Sequence, residues 1–219
     1  MAVTHHSSIL VDRDTAATSH TFAFNTTGVG SNNAIGVGVG YYSPGGDTVT
    51  GVTYNGTALT QVVTIENGSN DAVDIWTLGG NDVGNYNVAV SLSFSGDPCI
   101  TPISVYNADQ STPVSNTATA TGSNVSAVVT SAAGELAWDV GGGYAITPVE
   151  DASQTEVTDS PDSTPNITGF SSYEASTGSS VTMSWTVGAC SQAAVSFKEV
   201  AGGGGGSTHH IHLPLLGVG

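Results

Sequence analysis

The sequence has very few cationic residues. Its 219 residues include two basic side chains, Arg13 and Lys198, against 18 acidic ones, which gives a formal net charge of −16. Binding to nucleic acid needs basic groups that neutralise phosphates, and attraction to an anionic lipid surface needs a basic patch. Two cations supply neither, so we expect no nucleic acid and no membrane among the partners of this protein.

Long apolar runs are also lacking. No run approaches the ~20 apolar residues that span a membrane. Residues 1–14, MAVTHHSSILVDRD, have neither the basic segment nor the apolar segment of a secretory signal. We therefore expect a protein that is made in a cytoplasm and does not leave it by the general secretory route.

Cysteine is scarce, and motifs for catalysis are missing. Cys99 and Cys190 each open a segment with a strand pattern, so they form either a disulfide between neighbouring strands or two separate buried thiols. There is no nucleophile elbow, P-loop or zinc-finger spacing. We interpret the scattered acids, such as Asp74, Asp139 and Glu174, as solvated surface charge, and we expect no enzymatic activity and no cofactor.

What the sequence does contain is alternation of apolar and polar residues, typical of β-strands. In Asn85–Ser95 the residues Tyr86, Val88, Val90, Leu92 and Phe94 share one apolar face, which we expect in a core. The Asn-Gly pair after Tyr54 predicts a type I′ hairpin turn. Many short strands of this kind predict an all-β fold: an antiparallel, jelly-roll-like β-sandwich of about ten strands.

One predicted strand, residues 34–42, alternates glycine with Ile35, Val37 and Val39. A glycine face lets another backbone or a large ring approach closely. We interpret it as a core strand under a bulky neighbour such as Trp76, with contact to a second subunit as the alternative.

Taken together and in order, several segments resemble a β-sandwich domain of bacteriophage virion proteins and of environmental bacterial surface proteins. The similarity covers about residues 21–200, and its pieces are VTYNGTALT, IWTL, YNVAV, ISVYNADQSTP, AAGELA and AVSFK. The resemblance implies a jelly-roll-like or immunoglobulin-like sandwich and implies no catalytic residues. Because no secretory signal is evident, it favours the phage setting.

The last part of the sequence differs sharply from the rest. Five glycines at 202–206 form a flexible tether, and residues 207–219 contain no acidic residue. We predict that this tail docks onto a partner by adding a strand or filling a groove, or else folds back on its own body. The docking residues are the apolar ones: Ile211, Leu213, Leu215, Leu216 and Val218.

Two histidines of the tail, His210 and His212, lie two residues apart, so an extended strand carries them on one face. Three such strands around a threefold axis offer six nitrogens to one transition-metal ion. The motif resembles the His-x-His metal sites of trimeric phage fibres and spikes; the alternative is a polar spacer.

From these observations we divide the chain into an N-terminal arm (1–20), a β-sandwich (21–200) and the tether with its docking tail (201–219). The first functional hypothesis is a structural virion protein, a phage decoration (cement) or fibre component fixed by its terminal arms. Its expected partners are other virion proteins and copies of itself, with a trimer as one option.

Two other hypotheses remain open. One is a receptor- or carbohydrate-binding module that uses aromatic side chains and binds a host surface glycan. The other is a subunit of a bacterial extracellular filament, on the cell surface. The candidate aromatic residues of the binding module are Tyr41, Tyr42, Tyr144, Phe170 and Tyr173.

Overall fold

The computed structural model describes residues 1–11, 15–67, 71–144, 146–159 and 167–201. These residues form antiparallel sheets that pack on one another, which confirms the predicted all-β sandwich class. Within these ranges no helix has the length and apolar character needed to cross a membrane.

Seventeen strands lie in the described residues, more than the sequence pattern resolves. Several are short, and others are buried on both faces and therefore lack alternation. The strands are β1 (Thr4–Ser8), β2 (Ala17–Asn25), β3 (Ala34–Tyr42), β4 (Val49–Tyr54), β5 (Thr57–Ala58), β6 (Thr60–Glu66), β7 (Asp71–Gly79), β8 (Asn85–Gly96), β9 (Cys99–Tyr106), β10 (Val114–Gly122), β11 (Ser126–Thr130), β12 (Leu136–Gly143), β13 (Val149–Glu150), β14 (Thr155–Asp159), β15 (Thr168–Ala175), β16 (Ser180–Thr186) and β17 (Cys190–Phe197).

The strands form four sheets, two from each half of the chain. The N-terminal half contributes an outer sheet, β2-β8-β4-β5, and an inner sheet, β1-β9-β3-β7-β6. The C-terminal half contributes an inner sheet, β10-β17-β12-β15-β14, and an outer sheet, β11-β16-β13. All the strand pairs are antiparallel.

Each half has the connectivity of a jelly roll. In that fold the first strand pairs with the eighth, the eighth with the third and the third with the sixth, while the second, seventh, fourth and fifth form the facing sheet. In the N-terminal half the fifth strand is split, because β5 stays beside β4 while β6 crosses to the inner sheet. The C-terminal half repeats the order, with β14 as a fifth strand that lies wholly in the inner sheet.

The two jelly rolls pack through their inner sheets, so the molecule is a stack of four layers with three cores. The N-terminal core lies between the N-terminal sheets and includes Phe24, Tyr54 and Val90. The junction core lies between the two inner sheets and includes Trp138 and Phe197. The C-terminal core lies between the C-terminal sheets and includes Phe170, Trp185 and Met183.

The glycine face of β3 lies at this junction. A Cβ added to Gly36 would lie 2.6 Å from the Trp138 ring, and one added to Gly38 would overlap Val140. A Cβ on Gly142 would lie 3.3 Å from Cα of Gly40, so the two backbones touch there. The close neighbour is therefore Trp138 of the second jelly roll rather than Trp76, which packs against the N-terminal core.

Local predictions are confirmed in the N-terminal half. Asn55 and Gly56 have positive φ values of 50° and 77°, and Tyr54 pairs with Thr57 across the turn. Val88, Val90 and Leu92 of β8 are buried in the N-terminal core, as expected.

The first 20 residues contribute strands to the body. β1 pairs with β9, and the His5 ring stacks on Tyr173 of the other jelly roll with a centroid distance of 4.3 Å. β2 pairs with β8 from Ala17 onward, so the expected boundary at residue 21 falls inside a strand.

Candidate functional site

The polypeptide leaves the body beside the connector, residues 107–113, which joins the two jelly rolls. After β17, the Lys198 N–H donates to the Pro113 carbonyl at 2.8 Å, and the Val200 N–H donates to the Asn107 carbonyl at 2.9 Å. Ala108 forms a bridge with Glu199, which also pairs with the N-terminal ammonium group of Met1. The start of the tail is thereby fixed at the seam between the two halves.

An ion pair strengthens this exit. The Lys198 ammonium lies 2.9 Å from Oδ2 of Asp109 and donates to the Thr112 hydroxyl at 3.2 Å. The hydrogen bond from Lys198, with others from Thr112 and Ser111, holds the pKa of Asp109 well below its usual range. One of the two basic residues of the chain therefore fastens the connector to the exit segment.

A groove of about 360 Å³ opens next to the connector. We call it the junction groove, because β6 and the end of β7 form one wall while the connector and the start of β10 form the other. Val62, Leu78, Pro113 and Val114 supply apolar surface, and none of the lining residues is charged. In a chain with a net charge of −16, this is a place where an uncharged segment can bind without facing acids.

A buried carboxylate organises the C-terminal core. Asp139 is fully buried, and its Oδ1 accepts hydrogen bonds from the N–H and the hydroxyl of Ser172 at 2.8 and 2.7 Å. Its Oδ2 accepts from Nε1 of Trp185 at 2.6 Å and from Nε2 of Gln192 at 2.7 Å. Burial raises the pKa of Asp139, and the donors of Ser172, Gln192 and Trp185 oppose that shift. With both oxygens filled by donors and no access to solvent, this group has a structural role.

The interpretation of Asp139 and Asp74 as solvated surface charge was wrong. Asp74 is 1 % exposed and accepts a hydrogen bond from the Tyr41 hydroxyl at 3.2 Å. Burial raises the pKa values of both Asp74 and Tyr41. Asp74 and Asp139 lie in strands that are buried on both faces, where alternation gives no sign of which side chain is enclosed.

A third buried carboxylate ties three strand ends together. Oε2 of Glu135 accepts from the hydroxyls of Ser115 at 2.9 Å and Ser196 at 2.8 Å, and from the N–H of Ala132 at 3.0 Å. The Ser131 hydroxyl also lies at 3.3 Å. This cluster anchors the entrances of β10 and β12 to β17.

Of the two alternatives for the cysteines, the structure shows separate buried thiols rather than a disulfide. Cys99 lies against Gly169 between the two inner sheets. Cys190 points to the other face of the inner C-terminal sheet, where its thiol lies 3.7 Å from the Gly122 carbonyl. The sheet itself separates the two sulfurs, and burial near Asp71 raises the pKa of the Cys190 thiol to about 12.

The candidate aromatic residues do not form one platform. Tyr41 and Phe170 are buried in the cores, and Tyr173 is covered by His5. Tyr42 and Tyr144 are 43 % and 56 % exposed and follow the touching glycines Gly40 and Gly142 by two residues each. The structure thus brings these two tyrosines, and not the other three, to the surface at one end of the junction.

The remaining predicted site residues lie outside the described residues. These are the tail's docking residues Ile211, Leu213, Leu215, Leu216 and Val218, and the histidines His210 and His212. Within the part of the chain that the structure describes, no group of three or more His, Cys, Asp or Glu side chains is arranged to hold a metal ion.

Comparison with known proteins returns no match: no protein-family model, no curated protein and no solved structure is similar to this chain at the level of significance required.

Proposed function

We propose that this chain is a non-enzymatic structural virion protein, a phage decoration or fibre component that is anchored through its tail. The observation that best supports this proposal is the way the body ends. An ion pair and a short bridge fix the exit segment at the seam of two jelly rolls, and a glycine tether with an uncharged apolar segment follows. A rigid body with a tethered apolar end suits attachment to a larger assembly.

The fold and its surface are consistent with this role. Jelly rolls are common in viral capsid and lectin domains, although a fold by itself does not determine a function. The exposed positions of the outer N-terminal sheet carry small polar or uncharged side chains, such as Ser19, Thr21, Asn87 and Ser91. The strands β2, β4, β5 and β8 contain no Asp, Glu, Lys or Arg, and their one histidine, His20, is buried. This face can therefore pack against a neighbour without charge repulsion from its strands.

Because β1 and the start of β2 belong to the body, the anchoring role falls to the tail. The test is a chain that stops at Ala201, compared with the full chain for incorporation into assembled particles. We expect the truncated chain to fold and to lose at least about tenfold in incorporation, since the apolar contact is gone. A matched control keeps the length but replaces Leu213, Leu215 and Leu216 by Ser. If both variants incorporate as well as the full chain does, the docking proposal is wrong.

A second candidate function, carbohydrate binding, is favoured by Tyr42 and Tyr144. Exposed aromatic rings at one end of a molecule offer an apolar platform with a polar tip, which suits a sugar ring. A glycan array with the full chain, and with Tyr42 and Tyr144 both replaced by Ala, tests this role. Binding that the double variant loses would support it; the absence of binding by the full chain would rule it out for the glycans tested.

A further inference from the structure

We propose that, in the free subunit, the tail docks into the junction groove of its own body. This inference deepens the proposed function because it concerns the same tail before assembly. It assigns the groove one occupant, the leucines of residues 213–216.

The tail leaves the body close to the junction groove. The described body ends at Ala201, one residue after Val200 bonds to Asn107 of the connector. Pro113, at the other end of the connector, accepts the N–H of Lys198 and also lines the groove. The tether therefore starts beside the groove rather than on a distant face of the molecule.

The glycine tether is long enough for the tail to reach the junction groove. Five glycines have a root-mean-square span of roughly 12 Å by the square-root rule for flexible chains. A short flexible linker of this kind gives an effective concentration of about a millimolar. A subunit that is free at micromolar concentration meets its own groove far more often than that of a neighbour.

The junction groove and the tail also match in chemical character. Val62, Leu78, Pro113 and Val114 give the groove apolar walls, and its polar residues, such as Thr60 and Gln110, are neutral. The segment 207–219 also contains no acidic side chain, so its only titratable side chains are histidines. A groove of about 360 Å³ is at the lower end of the range, roughly 300–1,000 Å³, of pockets for small ligands, so it accepts a few side chains and not the whole tail.

Docking in the free subunit has a consequence for assembly. The apolar side chains are covered until a partner surface binds them more tightly than the groove does. Copies of the subunit are then kept from sticking to one another through their tails.

Amide hydrogen exchange tests the proposal on the full chain and on the chain that stops at Ala201. We expect exchange in residues 60–62, 77–79 and 110–112 to be about tenfold slower in the full chain, with no change on about tenfold dilution. Equal exchange in the two chains would overturn the proposal. Protection that disappears on dilution would also overturn it, because the occupant would then be the tail of another copy.

Two sets of variants sharpen the test. Replacing Leu213, Leu215 and Leu216 by Ser alters no described residue, and we expect exchange to match that of the truncated chain. Val62→Asp places a charge in the groove and should have the same effect, whereas Val128→Asp, at an exposed site on β11, should not. A separate readout distinguishes this inference from the proposed function. Suppose that the truncated chain fails to enter particles but its groove residues exchange as fast as those of the full chain. The tail then docks only on partners, which overturns this inference and leaves the proposed function in place.

Discussion

The two jelly rolls share a connectivity but differ in what their cores contain. Val37 of β3 and Asp139 of β12 occupy equivalent positions in the two jelly rolls. Ala34 opens β3 and Leu136 opens β12. The residues just before Val37 and Asp139, which are Gly36 and Trp138, face each other across the junction. Val37 lies in a cluster of hydrophobic side chains, whereas Asp139 binds four donors from three side chains and one backbone group. The difference shows that a jelly-roll core can contain a buried carboxylate when every lone pair of its oxygens accepts a hydrogen bond.

The largest expected effect comes from breaking the C-terminal network. Asp139→Ala leaves the donors of Ser172 and Trp185 buried without this acceptor, and it removes one of the two acceptors of the Gln192 amide. We expect a loss of about 3–5 kcal/mol in the free energy of unfolding. The matched variant Val37→Ala removes only methyl groups and should lose about 1.5–3 kcal/mol. Urea unfolding of both variants measures the comparison. Equal losses would show that the hydrogen bonds of Asp139 stabilise the C-terminal core no more than the methyl groups of Val37 stabilise the N-terminal core.

A substitution at the junction between the two inner sheets should have an intermediate effect on the free energy of unfolding. Gly38→Ala places a methyl group against Val140, and we expect a loss of about 1–3 kcal/mol because the inner sheets must separate. Gly51→Ala is the control, since a Cβ there meets nothing within 4 Å.

A second substitution sharpens this prediction. Adding Val140→Ala to Gly38→Ala should restore part of the loss, because the added methyl group then fills space that the valine leaves. If thermal unfolding shows that the two stability losses are strictly additive, Gly38 and Val140 do not pack closely against each other.

The smallest effect concerns Asp74, one of the two buried carboxylates of the N-terminal half; the other is Asp71. Because burial raises the pKa of Asp74, its contribution to stability is fully present below its ordinary pKa and is lost as the pH rises through the folded value. Asp74→Asn keeps an acceptor for Tyr41 and removes that pH dependence, so we expect a gain at pH 7 of about 1 kcal/mol or less.

Melting temperatures of the wild type and of Asp74→Asn between pH 4 and pH 7 test this expectation. The burial that lowers the pKa of His5 acts equally in both proteins and drops out of the difference. If Asp74→Asn destabilises as strongly as Asp139→Ala does, Asp74 is held by its partners in the same way as Asp139.

The comparison also shows what the sequence could and could not predict. β8 alternates because one of its faces meets solvent, and the Asn55-Gly56 turn follows from local geometry, so both were predictable. β12 and β17 are buried on both faces, so their sequences do not alternate between apolar and polar residues. Without that alternation, neither the register of these strands nor the burial of Asp139 could be predicted. The doubling of the jelly roll was missed for the same reason.

The junction groove was beyond reach from sequence. Its walls come from β6, the end of β7 and the connector, which are separated along the chain by up to about fifty residues and carry no shared motif. By contrast, the change in composition at the glycine tether is local, so predicting a separate tail needs no knowledge of the fold. That tail stays a prediction, because residues 202–219 lie outside the described part of the chain.

The seam between Gly36 and Trp138 has a consequence for how two such units can be joined. In a symmetric pair of identical jelly rolls, a residue on the twofold axis meets its own copy. A tryptophan there would face a tryptophan, and a glycine would face a glycine. Within one chain the equivalent positions are free to differ, and a glycine can accept the indole opposite it. Covalent linkage through the connector also makes the fit independent of protein concentration. The molecule thus has the compactness of a dimer without the requirement of self-complementarity.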